Sequence, residues 1–141
     1  MRALAEMMLK CRVKEMVMFA ELKDAEIHIY GSAVDFNAIA RAIHKGRHGA
    51  SALFPFSDPS SKFTTLITRC SGQLGSIQTV GQEIQILYSE PIKNRFYSYF
   101  SMPAETQAGS IFLVRVSQQE HPPVLSENSL SLVIHVVARA A

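Results

Sequence analysis

The sequence predicts an α+β fold: two tandem β-α-β-β units forming one mostly antiparallel sheet of about six strands, with two helices on one face. Three observations predict it. The stretch AEIHIYGS (25–32) returns fifty-seven residues later as QEIQILYS (82–89), with identity at Glu26/Glu83, Ile27/Ile84, Ile29/Ile86 and Ser32/Ser89. Each copy runs into a segment of helical spacing that opens on its serine. Each such segment is followed by two further runs of strand character.

The elements follow in order. Residues 1–24 precede the first copy and are set aside as an N-terminal extension without an assigned element. Glu6, Lys10, Arg12, Lys14 and Glu15 interrupt the apolar run that a signal peptide needs, while Leu4, Met7, Met8 and Cys11 follow helical spacing. Met16 and Met18 offer alternative starts. A single domain then spans 25–141, with halves at about 25–80 and 82–138. In the first half, Ser32 caps a helix whose apolar stripe is Phe36, Ile39, Ala40 and Ile43, with Asp35 at the capping-box position. Lys45 suits the negative end of the helix dipole, and Gly46 suits a left-handed C-cap. KFTTLITR (62–69) and GSIQTV (75–80) are expected as the two following strands. In the second half Ser89 caps, Pro91 sits in the first turn where its missing N–H costs nothing, and Ile92, Phe96, Tyr99 and Phe100 make the stripe. SIFLVRVS (110–117) and SLSLVIHVV (129–137) are its two strands.

Composition narrows the function classes. Of 141 residues, 48% are hydrophobic and 18% charged, the balance of a folded globule. A net charge of +2, scattered along the chain, gives no electrostatic footprint for nucleic acid. No apolar run approaches the roughly 18 residues of a membrane span. Cys11 and Cys70 make no metal-ligand spacing and pair at most once, as in proteins of a reducing compartment. No Walker loop, GxSxG, GxGxxG, CxxC or HExxH occurs, so neither a cofactor nor a metal is expected. His44 and His48 have the four-residue spacing of two ligands on one helix face, but Gly46 ends the helix between them and no third ligand follows. They read as part of a solvated basic helix end with Arg41, Lys45 and Arg47.

Two features point to partner binding. The loop GRHGASALFPFSDPSSK (46–62) carries Phe54 and Phe56 about Pro55, either tucked beneath the loop or offered as anchors. The second is the sheet face away from the helices. With Ile27 and Ile29 inward, Glu26, His28 and Tyr30 point outward; with Leu130, Leu132, Ile134 and Val136 inward, Ser131, Val133, His135 and Val137 point outward. Gln85, Leu87, Ile111, Leu113 and Arg115 join them. A one-sided sheet shows water a polar face, and this one is too apolar to be left wet, so something covers it. A second copy, the N-terminal segment 1–22 and a foreign protein are the occupants considered. A small enzyme or ligand-binding protein using His28, Tyr30 and His135 is the alternative, although no nucleophile completes an acid–base set.

The order of elements, and above all the ending EHPPVLSENSLSLVIHVV (120–137), resembles small α+β proteins of the bacterial polymorphic-toxin immunity type. In those, a polar stretch, a loop and Ser-Leu-x-Leu-Val-Ile make the last strand. The resemblance covers about residues 25–138. Its members carry histidines on the penultimate strand, where this chain reads SIFLVRVS, so no histidine role carries over. It implies a cytoplasmic, non-catalytic protein that blocks a toxin by binding it. The partner-binding residues expected are thus Phe54, Phe56, His28, Tyr30, Leu87, Leu113, Arg115, Val133 and His135.

Overall fold

The computed structural model describes residues 18–57, 62–71, 75–103, 105–114, 125–126 and 129–138. The elements are β1 (Phe19–Lys23), β2 (Glu26–Gly31), α1 (Ala33–Lys45), β3 (Ser51–Pro55), β4 (Thr65–Cys70), β5 (Ser76–Val80) and β6 (Glu83–Tyr88). A 3-10 turn (Glu90–Ile92), α2 (Lys93–Phe100), β7 (Ile111–Val114) and β8 (Ser131–Val136) follow.

The repeat is present, but its unit is β-β-α-β-β. A hairpin stands before each copy of the echoed strand: β1 pairs antiparallel with β2, and β5 with β6. Two-residue turns make both, Asp24-Ala25 and Gly81-Gln82, and positive φ at Asp24, Ala25 and Gly81 matches the strand twist. The expected division at about 25–80 and 82–138 therefore shifts. Residues 75–80 open the second half instead of closing the first, and Phe19–Lys23 belongs to the sheet instead of to an N-terminal extension. The strand missing from the first half is β3, within the stretch expected as a loop.

The expected single sheet of about six strands is replaced by two four-stranded sheets, β1-β2-β8-β7 and β3-β4-β6-β5. Each sheet takes one hairpin from each half. The seam is parallel in both: Glu26 to Gly31 along Ser131 to Val136, and Thr65 to Cys70 along Glu83 to Tyr88. The flanking pairs are antiparallel. Backbone bonds also run from sheet to sheet. Ser57 N–H donates to Met18 O beside β1, and Leu130 N–H donates to Ile77 O on β5.

Alternation decides what enters the core. Ile27 and Ile29 of β2, Ile84 and Ile86 of β6, and Leu132, Ile134 and Val136 of β8 are buried in one cluster with Phe36, Ile39, Ile43, Phe96 and Phe100 of the helices. Removing each large side chain from water is worth about 1.5–3 kcal/mol. Ser32 caps α1 as the sequence implies. Its Oγ accepts from Asp35 N–H at 3.3 Å while its own N–H donates to the Asp35 carboxylate at 2.9 Å. Ser89 instead precedes the 3-10 turn and makes no side-chain cap. The helices run antiparallel and are tied at both ends. The Asn37 amide donates to Met102 O at 2.8 Å and accepts from Met102 N–H at 3.0 Å, and Lys93 Nζ donates to Gly46 O at 3.1 Å.

Gly46 departs from the expected left-handed cap, with φ −65° and ψ 138°. Close approach explains it: a Cβ there would collide with the hydroxyl of Tyr88, a core side chain. Gly46→Ala is expected to lower stability by about 1–3 kcal/mol. Tyr88→Phe in the same chain recovers part of that loss by removing the oxygen that the Cβ meets. Urea denaturation of the two single variants and the double variant checks this, and strictly additive losses would show that no collision exists. In the β1–β2 turn, Ala25 holds φ +64°, a conformation glycine adopts without steric cost. Ala25→Gly should raise stability by about 1 kcal/mol, read as a higher urea midpoint at unchanged slope.

Candidate functional site

The outer face of the β1-β2-β8-β7 sheet gathers the histidines. Register places Phe19, Tyr30, His135 and Ile111 in one row across four strands, and Glu21, His28, Val133 and Leu113 in the next. The first row is an aromatic stack: Phe19 on Tyr30 at 4.5 Å and 7°, and Tyr30 on His135 at 4.2 Å and 13°. Offset aromatic contacts of this kind add about 0.5–1.5 kcal/mol each beyond simple burial. His28 Nδ1 lies 2.8 Å from His135 Nε2, a hydrogen bond between residues 107 apart in sequence. Glu26 Oε1 stands 3.5 Å from His28 Nε2. That carboxylate favours the His28 proton on Nε2, leaving Nδ1 to accept from His135 Nε2–H.

The electrostatics follow from this packing. Burial, then the charges of His28 and Lys23, hold the His135 pKa below its ordinary value, with Glu21 opposing them. The Glu21 carboxyl is lowered by its hydrogen bond to Lys23, 3.0 Å away on the same strand face. Both of those side chains are well exposed, so the pair adds little stability. The Tyr30 hydroxyl stands 3.5 Å from Glu21. Chemically, the Glu26–His28–His135 chain can hold one proton and pass it along the face, and the adjoining rings offer a flat apolar platform.

The second sheet serves as an internal comparison. The positions of His28, Tyr30 and His135 are held there by Gln85, Leu87 and Arg69 in the same register. Gln85 accepts a 3.2 Å hydrogen bond from Gln78. The fold is built equally well without the histidine pair, so backbone architecture does not account for it. Val133 and its counterpart Ile67 are alike, 7% and 8% exposed although both point outward.

The residues picked out from sequence thus separate. His28, Tyr30, Val133, His135 and Leu113 share one face. Leu87, expected beside them, lies half-buried on the other sheet, because the single expected face is two faces. Val133 needs no outside cover, since the chain already buries it. Phe54 is half-buried against the core and Phe56 lies within it, so both rings point away from solvent. Of the two expectations for them, tucking beneath the segment fits. Arg115 lies outside the described residues, as do Cys11 and most of 118–129. His44 and His48 are exposed about the end of α1, with the His44 ring 5.3 Å from Tyr97. Among the described residues no group of three or more His, Cys, Asp or Glu gathers as a metal site.

Sequence reading missed Phe19, Glu21 and Lys23, because the turn between β1 and β2 contains no glycine or proline. A signal did exist. The fifty-seven-residue echo extends backward, setting FAELK over SIQTV strand for strand.

Comparison of the chain with protein-family models, with curated proteins and with solved structures finds no match.

The depressed His135 pKa has a definite sign in stability. Above the unfolded value near 6.5 both states are neutral at this ring and its full contribution is present. As pH falls below that value the unfolded chain takes up the proton first, and stability declines until the folded ring protonates as well. The groups that set this response are Glu21, Lys23, Glu26, His28 and Tyr30. Thermal melting between pH 7.5 and 5 should show the decline in the wild type and a flatter profile in His135→Gln. Parallel profiles would remove His135 as its source.

Proposed function

We propose that this chain is a non-catalytic protein-binding module that docks its partner on β7 and the adjoining outer face of the β1-β2-β8-β7 sheet. One observation carries the reading. Ile111, Phe112 and Leu113, three consecutive residues of an edge strand, are 61%, 43% and 45% exposed. An edge strand offers unpaired backbone donors and acceptors, and soluble proteins usually blunt such edges with charge. Here its described side chains are aliphatic or aromatic, the composition that suits strand addition by a partner. The Phe19–Tyr30–His135 stack beside it supplies the rigid, amphipathic contacts that binding surfaces favour. Inhibition of a toxin by binding, which the immunity-type resemblance implies, is the particular form proposed.

A second reading shares the surface: two copies pair β7 to β7 and bury the same side chains in a symmetric dimer. The position of β7 at the edge of its sheet favours it. The enzyme or ligand-binding alternative rests on the His28–His135 contact alone.

Sedimentation and photo-crosslinking separate these readings. A photoreactive phenylalanine analogue at position 113, in cells of the source organism, should give a discrete adduct with a foreign protein. The same analogue at Val80, an exposed apolar residue of the other sheet, should not. Leu113→Glu should abolish binding of that protein and leave the melting temperature within a few degrees, as for ordinary surface changes. A self-adduct, with a sedimenting dimer that Leu113→Glu converts to a folded monomer, establishes the second reading instead. No adduct at 113, or equal labelling at 113 and 80, defeats both.

A further inference from the structure

The other sheet borders a feature that the docking surface does not use. A cavity of about 210 Å³ lies between the end of α1 and the inner side of the β3-β4-β6-β5 sheet. It exists because its walls are small: Ala42 and Gly46 from α1 and its cap, and Ala50 and Ala52 at and before β3. Three hydroxyl-bearing residues complete it, Ser51 of β3, whose Oγ accepts from Arg69 Nε at 3.0 Å, Thr68 of β4 and Tyr88 of β6. Thr68 is 1% exposed, and its Oγ1 has no hydrogen-bond partner among the described residues. Such a group is costly to bury, so a native chain that keeps one calls for an explanation.

The equivalent corner of the β1-β2-β8-β7 sheet shows that the fold does not need it. The counterpart of Thr68 is Ile134, fully buried, and the counterpart of Tyr88 is Gly31. Phe36 closes on that glycine, its Cζ 3.3 Å from where a Cβ would stand. One corner of the molecule is therefore filled with apolar atoms. The equivalent corner is left open and lined with hydroxyls.

We infer that this cavity is a binding site for a small uncharged molecule, a ring or branched compound of roughly six to nine non-hydrogen atoms bearing one hydroxyl or carbonyl group. Volume sets the scale: an enclosed cavity of about 150 Å³ accepts benzene, and this one, open at a mouth formed by Lys45, Ala50 and Ser51, has room for a molecule of that size. The polar group follows from Thr68, whose Oγ1 can donate to a carbonyl or hydroxyl oxygen and accept from a hydroxyl. Tyr88 brings a second hydroxyl against Gly46, on the same wall. Neutrality follows from the surroundings. The negative pole at the carboxyl end of α1 is met by Lys93, whose Nζ donates to Gly46 O, so the helix end leaves little field to attract an ion of either sign. Burial, reinforced by Cys70 and Glu90, pushes the Tyr88 phenol up to about 12, so negative charge is penalised there already. A cation would find no acid in the wall and Lys45 at its edge.

The test uses the full chain, labelled with ¹⁵N and titrated with phenol and with cyclohexanol, against benzoate and benzylamine as charged controls. Saturable amide shifts centred on Gly46, Ala52 and Thr68 are expected with the two neutral probes. Thr68→Val should melt no lower than wild type and bind cyclohexanol about fivefold more weakly, the loss of one ordinary hydrogen bond. Ala42→Leu, which fills the space, should abolish binding; Ala52→Leu replaces it if that variant does not fold. No saturable shift up to the solubility of both neutral probes, or binding that survives a folded plugging variant, overturns the site. Unchanged affinity in Thr68→Val overturns the role of its hydroxyl, and benzoate or benzylamine binding as tightly as phenol overturns the neutral class.

Discussion

The parallel seams, β2 on β8 and β4 on β6, are the constraint on which the rest of the structure depends. Each joins strands from different halves, so neither half owns a complete sheet. Without β8, the buried face of β2 loses its neighbour along its whole length. Without β4, β6 does the same. The two helices reinforce the exchange. Asn37 holds the backbone at Met102, and Lys93 holds the last turn of α1, so helix packing and strand pairing select one arrangement of the halves. The His28–His135 bond spans 107 residues, and contacts of such separation impose loop-closure entropy before they contribute any stability. Folding of this chain accordingly requires long-range contacts, and its stability is shared across both sheets.

A repeated frame lets the two halves be compared position by position, which separates what the architecture requires from what is particular to one sheet. Both seams bury their outward central residue alike, Val133 in one and Ile67 in the other. That burial is architectural. The histidine pair, the three-ring stack and the exposed Ile111-Phe112-Leu113 strip belong to one sheet, and Gln85, Leu87 and Arg69 stand where the histidines and tyrosine would be in the other. Likewise Thr68 and Tyr88 line a cavity where Ile134 and Gly31, with Phe36, make a closed corner. The two sheets thus differ in the ring cluster on the outer face of one and the hydroxyls on the inner side of the other, while both expose a leucine at the same register, Leu113 and Leu53.

Much of the local structure was legible in the sequence because it rests on short-range physics. The Ser32–Asp35 capping box, the helix stripe of Phe36, Ile39, Ala40 and Ile43, and the inward Ile27 and Ile29 all depend on spacings of two to four residues. Outward placement of His28, Tyr30, Val133 and His135 was legible for the same reason. Strand β1 was not, since Asp24-Ala25 turns the chain with positive φ but without glycine. Nor was β3: Gly46, Gly49 and Pro55 made its surroundings read as a loop, and only pairing with β4 makes Ser51–Pro55 a strand.

By itself, then, the sequence determined an α+β chain of two alike halves, the capped first helix and the side of each strand that faces the core. Periodicity and capping act within one element and need no knowledge of its neighbours. Only the tertiary structure decided that there are two sheets, that hairpins are exchanged between halves, and that Leu87 and Leu113 lie on different faces. It also decided that His28 meets His135 and that the Thr68 hydroxyl is left without a partner among the described residues. Those outcomes depend on which strand becomes the neighbour of which. Alternation along a single strand carries no record of that choice, because the pattern for a central strand is the same whichever partner lies beside it.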